Sequence, residues 1–286
     1  MTSLSRKITL NDLRAARENG DKMPMLTCYD FTTARLMQEA GVPMLLVGDS
    51  AGSVILGHDS TVPVQLPFMI ELTAAVRRGA PLALLVSDMP FGSYHESIAQ
   101  GVRNVCQMVQ LTGCDMVKLE VAAGHLPLVS QLADMGVAVM AHVGLRPQTV
   151  GLLGGYRAQG RSAAHAATIV KLAREMEGAG AAAILLEAVP AEVSEYVVQE
   201  TTVPVIGCGA GSACHGSVVV MHDAAGLTSK PPKFVPVLGN LAEPLRAVFS
   251  EYVERVATGE YPAAEHVYPM PADEAGKLPG LLAKRN

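Results

Sequence analysis

Short apolar runs recur along the chain, and several of them end on an acid. Residues 44–47 (MLLV) stand between Pro43 and Gly48 and run into Gly48-Asp49-Ser50. Residues 82–86 (LALLV) end in Ser87-Asp88, 116–119 (MVKL) in Glu120, and 183–186 (AILL) in Glu187. An uninterrupted apolar run bounded by turn residues predicts a strand covered on both faces. Further strands are predicted at 25–29, 137–143, 203–206 and 218–221. Helical segments lie between them, at 33–40, 67–78, 96–112, 126–135, 162–178, 191–200 and 241–258. A short helix at 8–18 precedes the first strand, with Thr9 or Asn11 as its cap, and Asp30 reads as a cap of the next helix.

Eight strands alternating with helices in 286 residues predict an α/β fold, a (β/α)8 TIM barrel, as one domain over 1–286. The barrel is expected at about 22–258. Beyond it Pro262, Pro269, Pro271 and Pro279 break helical continuity, so 259–286 is expected to be an extended or poorly ordered tail.

Composition narrows the class of partner. Hydrophobic residues make up 49% and charged ones 17%, so much surface must be hidden in a large core, an oligomer, or both. A net charge of -5 with scattered Lys and Arg argues against nucleic acid. The opening MTSLSRKITL lacks an apolar signal region and no run approaches a membrane span, so a cytoplasmic chain with no membrane partner is expected. Cys28, Cys106, Cys114, Cys208 and Cys214 form no CxxC pair and read as reduced core residues.

The acids at the strand ends are the candidates for chemistry. Asp49, Asp88 and Glu120 close successive strands, about 4.8 Å apart, so they could share one ion. An all-oxygen site suits Mg²⁺; the alternative is that the aspartates cap the loops or helices that follow. Lys118 and Glu120 are two apart on one strand and share a face. Lys118 could pair with an acid, stabilise an oxyanion, or form a Schiff base. Glu187 is a general-base candidate or a salt-bridge partner. His142 shares a face with residue 140 and lies near the strand exit, as a core histidine or a site residue. The glycines of 207–216 fit either phosphate binding or close packing. The long connector 144–161 is a candidate lid.

Several segments then stand out together: MLTCYD, LLVGDSAGSVILGHDSTVPV, SDMPFGSY, CDMVKLE, HVGLRPQTV with LGGYRAQGR, ILLEAVPAE, VIGCGAG and EYPAAEH. In this order, from Met25 to His266, they resemble the 3-methyl-2-oxobutanoate (ketopantoate) hydroxymethyltransferase family. The resemblance implies a barrel of the phosphoenolpyruvate/pyruvate type. It implies transfer of a one-carbon unit from 5,10-methylenetetrahydrofolate to an α-keto acid on the way to pantothenate. By position it implies Asp49, Asp88 and Glu120 as Mg²⁺ ligands, and Glu187 as proton acceptor. Asp49, Ser50, Asp88 and Lys118 would contact the keto acid, with His142 supporting. It also implies small-molecule substrates and a homo-oligomer, a decamer by family precedent.

The chain departs from the family pattern in places. CHGSVVV stands where the family has a stretch close to CDGQVLV, so His215 and Ser217 replace Asp and Gln. FVPVL replaces FVKRY, and the segment after Val267 is extra. The rivals to this reading are a metal-dependent carbon–carbon lyase of the same superfamily, a Schiff-base aldolase using Lys118, and a non-catalytic member.

Overall fold

A computed structural model describes residues 3–283; the ends of the expected domain and tail, 1–2 and 284–286, lie outside the described residues. Eight parallel strands close into a barrel in sequence order: β1 Met23–Thr27, β2 Met44–Val47, β3 Leu84–Asp88, β4 Met116–Glu120, β5 Val139–Gly144, β6 Ala183–Glu187, β7 Val205–Cys208 and β8 Gly216–Val219. β8 returns to β1, with Met23 opposite Gly216. Helices Phe31–Glu39, Leu66–Gly79, Ile98–Thr112, Leu126–Asp134, Ala163–Gly178 and Ala191–Glu200 follow the strands. The expected (β/α)8 class is therefore the observed one.

Burial explains the continuous apolar runs. Along each strand one set of side chains packs outward under the helices, among them Leu45, Leu85, Val117, Ala141 and Ile184. The alternate set forms a separate inner cluster of Met25, Met44, Leu46, Leu84, Val86, Met116, Met140, Leu185, Ile206 and Val218. Both faces are dry, so no polar alternation survives in the sequence. Leu13, on helix Leu10–Asn19, joins the inner cluster at 1% exposure. That helix closes the end of the barrel where the strands begin. Its Thr9 N-cap is held by Asp12, whose carboxylate accepts from the Thr9 N–H at 2.8 Å. Asp30 is the expected cap, accepting from the Thr33 N–H at 2.8 Å.

Strand bounds shift where the backbone finds other partners. β3 begins at Leu84 rather than 82. Leu82 donates its N–H to Gln38 Oε1 and its carbonyl accepts from the Ile8 N–H, outside the ladder. β7 begins after Pro204, which has no N–H to contribute. β8 covers 216–219 rather than 218–221, because the Met221 N–H turns to Thr27 Oγ1 as a helical turn starts. His215 has a structural role, since its Nδ1 accepts from the Val205 N–H at 3.0 Å. Ser217 is exposed on β8.

The chain divides into two compact units, the first ending at Leu238 and the second starting at Gly239. The first holds all eight strands. Helix Ala242–Thr258, expected within the barrel segment, belongs to the second unit. The segment expected to be extended also carries short helices, Ala272–Ala275 and Leu278–Ala283. Pro271 is the N-cap of one and Pro279 the second residue of the other. Proline is compatible with a helix start, so here it begins helices rather than preventing them. Among the described residues no helix is long and apolar enough to cross a membrane.

Candidate active site

The strand register builds the site. Asp88 pairs with Lys118, Glu120 with His142, and Glu187 with both Gly144 and Cys208. Asp88, Lys118, His142 and Glu187 continue the inner face one pleat beyond the apolar cluster, and Glu120 two, so the inward side chains change there from methionine and leucine to ionisable groups. Asp49 and Ser50 follow Gly48 where β2 ends. A cavity of about 910 Å³ opens over this rim, lined by Asp49, Ser50, Asp88, Lys118, His142 and Glu187. Glu120 is not among its lining residues; it lies behind that wall, 4% exposed.

Contacts link the floor into one network. The Asp49 N–H donates to Asp88 Oδ2 at 2.9 Å, and Lys118 Nζ lies 3.0 Å from Asp88 Oδ1. Lys118 Nζ also reaches His142 Nδ1 at 3.2 Å. His142 Nε2 in turn lies 3.3 Å from Glu187 Oε2, though without hydrogen-bond alignment. Ser50 Oγ is 2.8 Å from the Tyr29 hydroxyl.

Gln148 and Tyr94 complete the floor, and neither was singled out from the sequence. Gln148 comes from a turn in the connector, Pro147–Thr149, yet is 4% exposed. Its Nε2 donates to Asp49 Oδ2 at 2.8 Å and to the Met89 carbonyl at 3.0 Å, and its N–H donates to Glu120 Oε2 at 3.0 Å. The Tyr94 hydroxyl meets Gln148 Oε1 at 2.9 Å and accepts from the Glu120 N–H at 3.1 Å. Both residues lie inside the motifs LRPQT and SDMPFGSY, where polar side chains in turns are otherwise ordinary.

Glu187 is aimed by an unusual backbone. Ala188 has φ 47, the left-handed region a side chain rarely occupies. Its N–H donates to the Cys208 carbonyl and its carbonyl accepts from Gln159 of the connector, both at 2.8 Å. Opposite it, Gly144 has φ 92, and a Cβ there would come within 2.4 Å of the Glu187 carbonyl. Only glycine permits this approach of the two strand ends.

Electrostatics set the protonation states. Burial raises the Asp88 carboxyl to about 7, against the opposing pull of Lys118. Burial likewise raises Glu120 well above the carboxylate range, with Asp49 adding to it. Glu187 is pushed up to about 7 by burial, countered by Lys118. Burial disfavours the Lys118 ammonium, but Asp88, Asp49 and Glu120 outweigh it and raise its pKa. His142 is held far below its usual range by burial and by Lys118, so the imidazole is neutral. The site thus offers a charged lysine, a neutral histidine and a carboxyl poised near neutrality.

The floor also has the donor set for a hard cation. Glu120 Oε1 has no hydrogen-bond partner, and Asp88 Oδ1 faces Lys118 without hydrogen-bond alignment. A buried carboxylate oxygen with no partner, as Glu120 Oε1 is, is costly. Among the described residues no group of three or more His, Cys, Asp or Glu side chains is placed to hold a metal ion. A hard cation here would have to draw these carboxylates closer, or be completed by water or substrate oxygens as Mg²⁺ commonly is.

Fold and rim together define a parallel (β/α)8 barrel carrying an acid- and lysine-lined enzyme pocket at the ends of its strands. The chain belongs to the ketopantoate hydroxymethyltransferase family, whose model matches residues 7–264. A 3-methyl-2-oxobutanoate hydroxymethyltransferase of Thermobifida fusca is 46% identical over 266 residues, covering 93% of this chain and 95% of that protein. One from Desulfotalea psychrophila is 42% identical over 273 residues, covering 95% and 98%. Among solved structures, 2,3-dimethylmalate lyase, a PEP mutase/isocitrate lyase superfamily member, aligns with TM-score 0.58 at 16% identity over 96% of this chain and 98% of its own. Phosphonopyruvate hydrolase in complex with oxalate and Mg²⁺ aligns with TM-score 0.57 at 18% identity, over 97% of both chains. At such identity these two speak for the fold alone.

Proposed function

We propose that this chain transfers a hydroxymethyl group from 5,10-methylenetetrahydrofolate to 3-methyl-2-oxobutanoate, giving 2-dehydropantoate in pantothenate biosynthesis. The observation that carries the chemistry is Glu187: a cavity-lining carboxyl raised to about 7, against a neutral imidazole and beyond direct reach of a fixed cation. Such a group can hold a proton taken from carbon and return to its basic form near neutral pH.

Glu187 removes the proton from C3 of the keto acid, next to the carbonyl. Lys118, held charged by Asp88, stabilises the negative oxygen that develops. Its protonation argues against Schiff-base chemistry, and borohydride with substrate should leave it unmodified. His142 lies between Lys118 and Glu187 and holds Lys118 through its Nδ1. Ser50, Asp49 and Asp88 line the wall against which the keto acid would lie. C3 then bonds to the folate-borne methylene carbon as that carbon's bond to one of its two folate nitrogens breaks; water then displaces the second nitrogen, leaving CH₂OH on C3, while the proton taken from C3 and one from the water go to the two nitrogens. Asp49, Asp88 and Glu120 would hold Mg²⁺, which when bound would polarise the keto oxygen and acidify the C3 hydrogen.

A homo-oligomer, with the decamer as its expected form, is also proposed. Support comes from helix Ala242–Thr258, where Leu245, Val248, Phe249, Tyr252, Val253 and Val256 recur at helical spacing and none is buried. The decisive assay is 2-dehydropantoate formation with Mg²⁺, with and without 5,10-methylenetetrahydrofolate. Product should require both, and chelator should abolish it. Product formed without the folate would sink the reading.

A further inference from the structure

Just beyond β1, Tyr29 is 2% exposed and lies outside the lining of the cavity. A buried phenol needs a partner for its hydroxyl. Tyr29 reaches one at the exit of the next strand, where its hydroxyl is 2.8 Å from Ser50 Oγ. Burial raises the phenol's pKa, Asp88 and Asp49 add to it, and the opposing pull of Ser50 and Thr27 does not offset them. The proton therefore stays on the phenol oxygen. His222, from the helical turn after β8, packs on the ring with 5.4 Å between centroids and a tilt of 53°. Tyr29 is thus seated by one loop and reaches into another.

Ser50 has no competing task. It is the N-cap of the short turn Ala51–Val54, yet its side chain makes no capping bond. Its Oγ is folded over Gly48, where an added Cβ would come within 2.7 Å of it. The side chain is confined, and it lines the cavity. A hydroxyl has one proton to give and lone pairs to accept with, so the direction of that proton is a choice. The choice matters beside Asp49 and Asp88, which also line the cavity and repel a carboxylate. If the phenol donates to Ser50 Oγ, the serine proton is free to point at an anion in the cavity. The two hydroxyls then run in one direction, and each bond polarises the next.

We propose that Tyr29 is a positioning residue for keto acid binding: its hydroxyl donates to Ser50 Oγ and so holds the serine proton toward the substrate carboxylate. The inference rests on the reading of Ser50 as a keto acid contact given above. Tyr29 lies behind the wall and acts only through Ser50.

The test measures calorimetric binding of 3-methyl-2-oxobutanoate with Mg²⁺, and C3 hydrogen exchange in D₂O, for wild type, Tyr29→Phe, Ser50→Ala and the double variant. Tyr29→Phe keeps the ring against His222 and removes only the hydroxyl. Its Kd should rise roughly three- to tenfold, the net worth of one neutral hydrogen bond. Ser50→Ala should raise Kd roughly ten- to hundredfold, because a bond to a charged group is lost. Adding Tyr29→Phe to Ser50→Ala should weaken binding no further, since the phenol has no serine left to orient. In Tyr29→Phe the half-saturating keto acid concentration should move far more than the saturated exchange rate, a split that general loosening of the fold would not give. Binding by Tyr29→Phe equal to wild type, or losses that add in the double variant, would overturn the role of Tyr29 alone. Wild-type binding by Ser50→Ala would remove the serine contact and this inference with it. A wild type that neither binds nor exchanges the keto acid would overturn the proposed function as well.

Discussion

In the lower half of the barrel the inward residues are Met25, Met44, Leu84, Met116, Met140 and Ile206, capped by Leu13 of the N-terminal helix. Further along the same face, β3, β4, β5 and β6 present Asp88, then Lys118 and Glu120, then His142 and Glu187. Both layers are almost equally buried. The lower one gains from leaving water, at about 25 cal/mol per Å² of apolar surface. The upper one loses solvation for every charge it holds, and its acids show it by titrating high. Stability and reactivity therefore sit on the same strands but in different layers, and a substitution in each should fail differently.

The largest contrast is expected in the upper layer. Glu187→Gln should slow C3 hydrogen exchange in D₂O by roughly 10²–10⁴-fold while leaving keto acid affinity nearly intact. Proton NMR of the C3 signal beside calorimetric binding would read both. In the wild type the exchange rate should climb with pH through about 7, because the carboxylate is the active form. The same shift has a stability signature. The folded pKa lies above the ordinary 4.5, so this group's contribution is complete below 4.5 and is lost as pH rises through about 7. Glu187→Gln should therefore gain in denaturant midpoint relative to wild type above pH 7. An exchange rate equal to wild type would move the base elsewhere, with His142 the first candidate.

The lower layer should respond the other way. Leu84→Ala leaves a cavity in the inner cluster and should cost about 2–5 kcal/mol of unfolding free energy. Exchange per folded molecule should stay close to wild type. If Leu84→Ala abolishes exchange while the protein remains folded, the two layers are not separable in this way. The smallest effect is expected at Gln148→Met, which keeps bulk but removes the amide. It should cost about 1–3 kcal/mol, since Asp49 Oδ2 and the Met89 carbonyl lose their shared donor. A denaturation curve unchanged from wild type would show that water replaces the amide without loss.

The lower layer was the more readable one. Its runs at 44–47 and 183–186 are continuous and end on glycine or acid, which fixes strand, burial and exit together. The two-residue spacing of Lys118 and Glu120 placed both on one face, and β4 puts them there. Strand starts were less readable at 82, where Gln38 decides the ladder through a contact no local pattern displays, and at 203, where the missing N–H of Pro204 moves the start to Val205. Proline misled at 271 and 279, being as suited to starting a helix as to preventing one. Gln148 and Tyr94 were missed because their role is created by distance in space. Neither residue type, in a polar turn, signals that it will be buried between three carboxyl-bearing strand ends.

Gln148 has a consequence for when the protein becomes competent. One amide arriving on a surface connector serves groups that follow β2 and β3, and its backbone serves β4. Until that connector docks, all of them lack their partner at once, and docking supplies all of them at once. A chain nicked in this connector should therefore lose the floor as a unit rather than contact by contact.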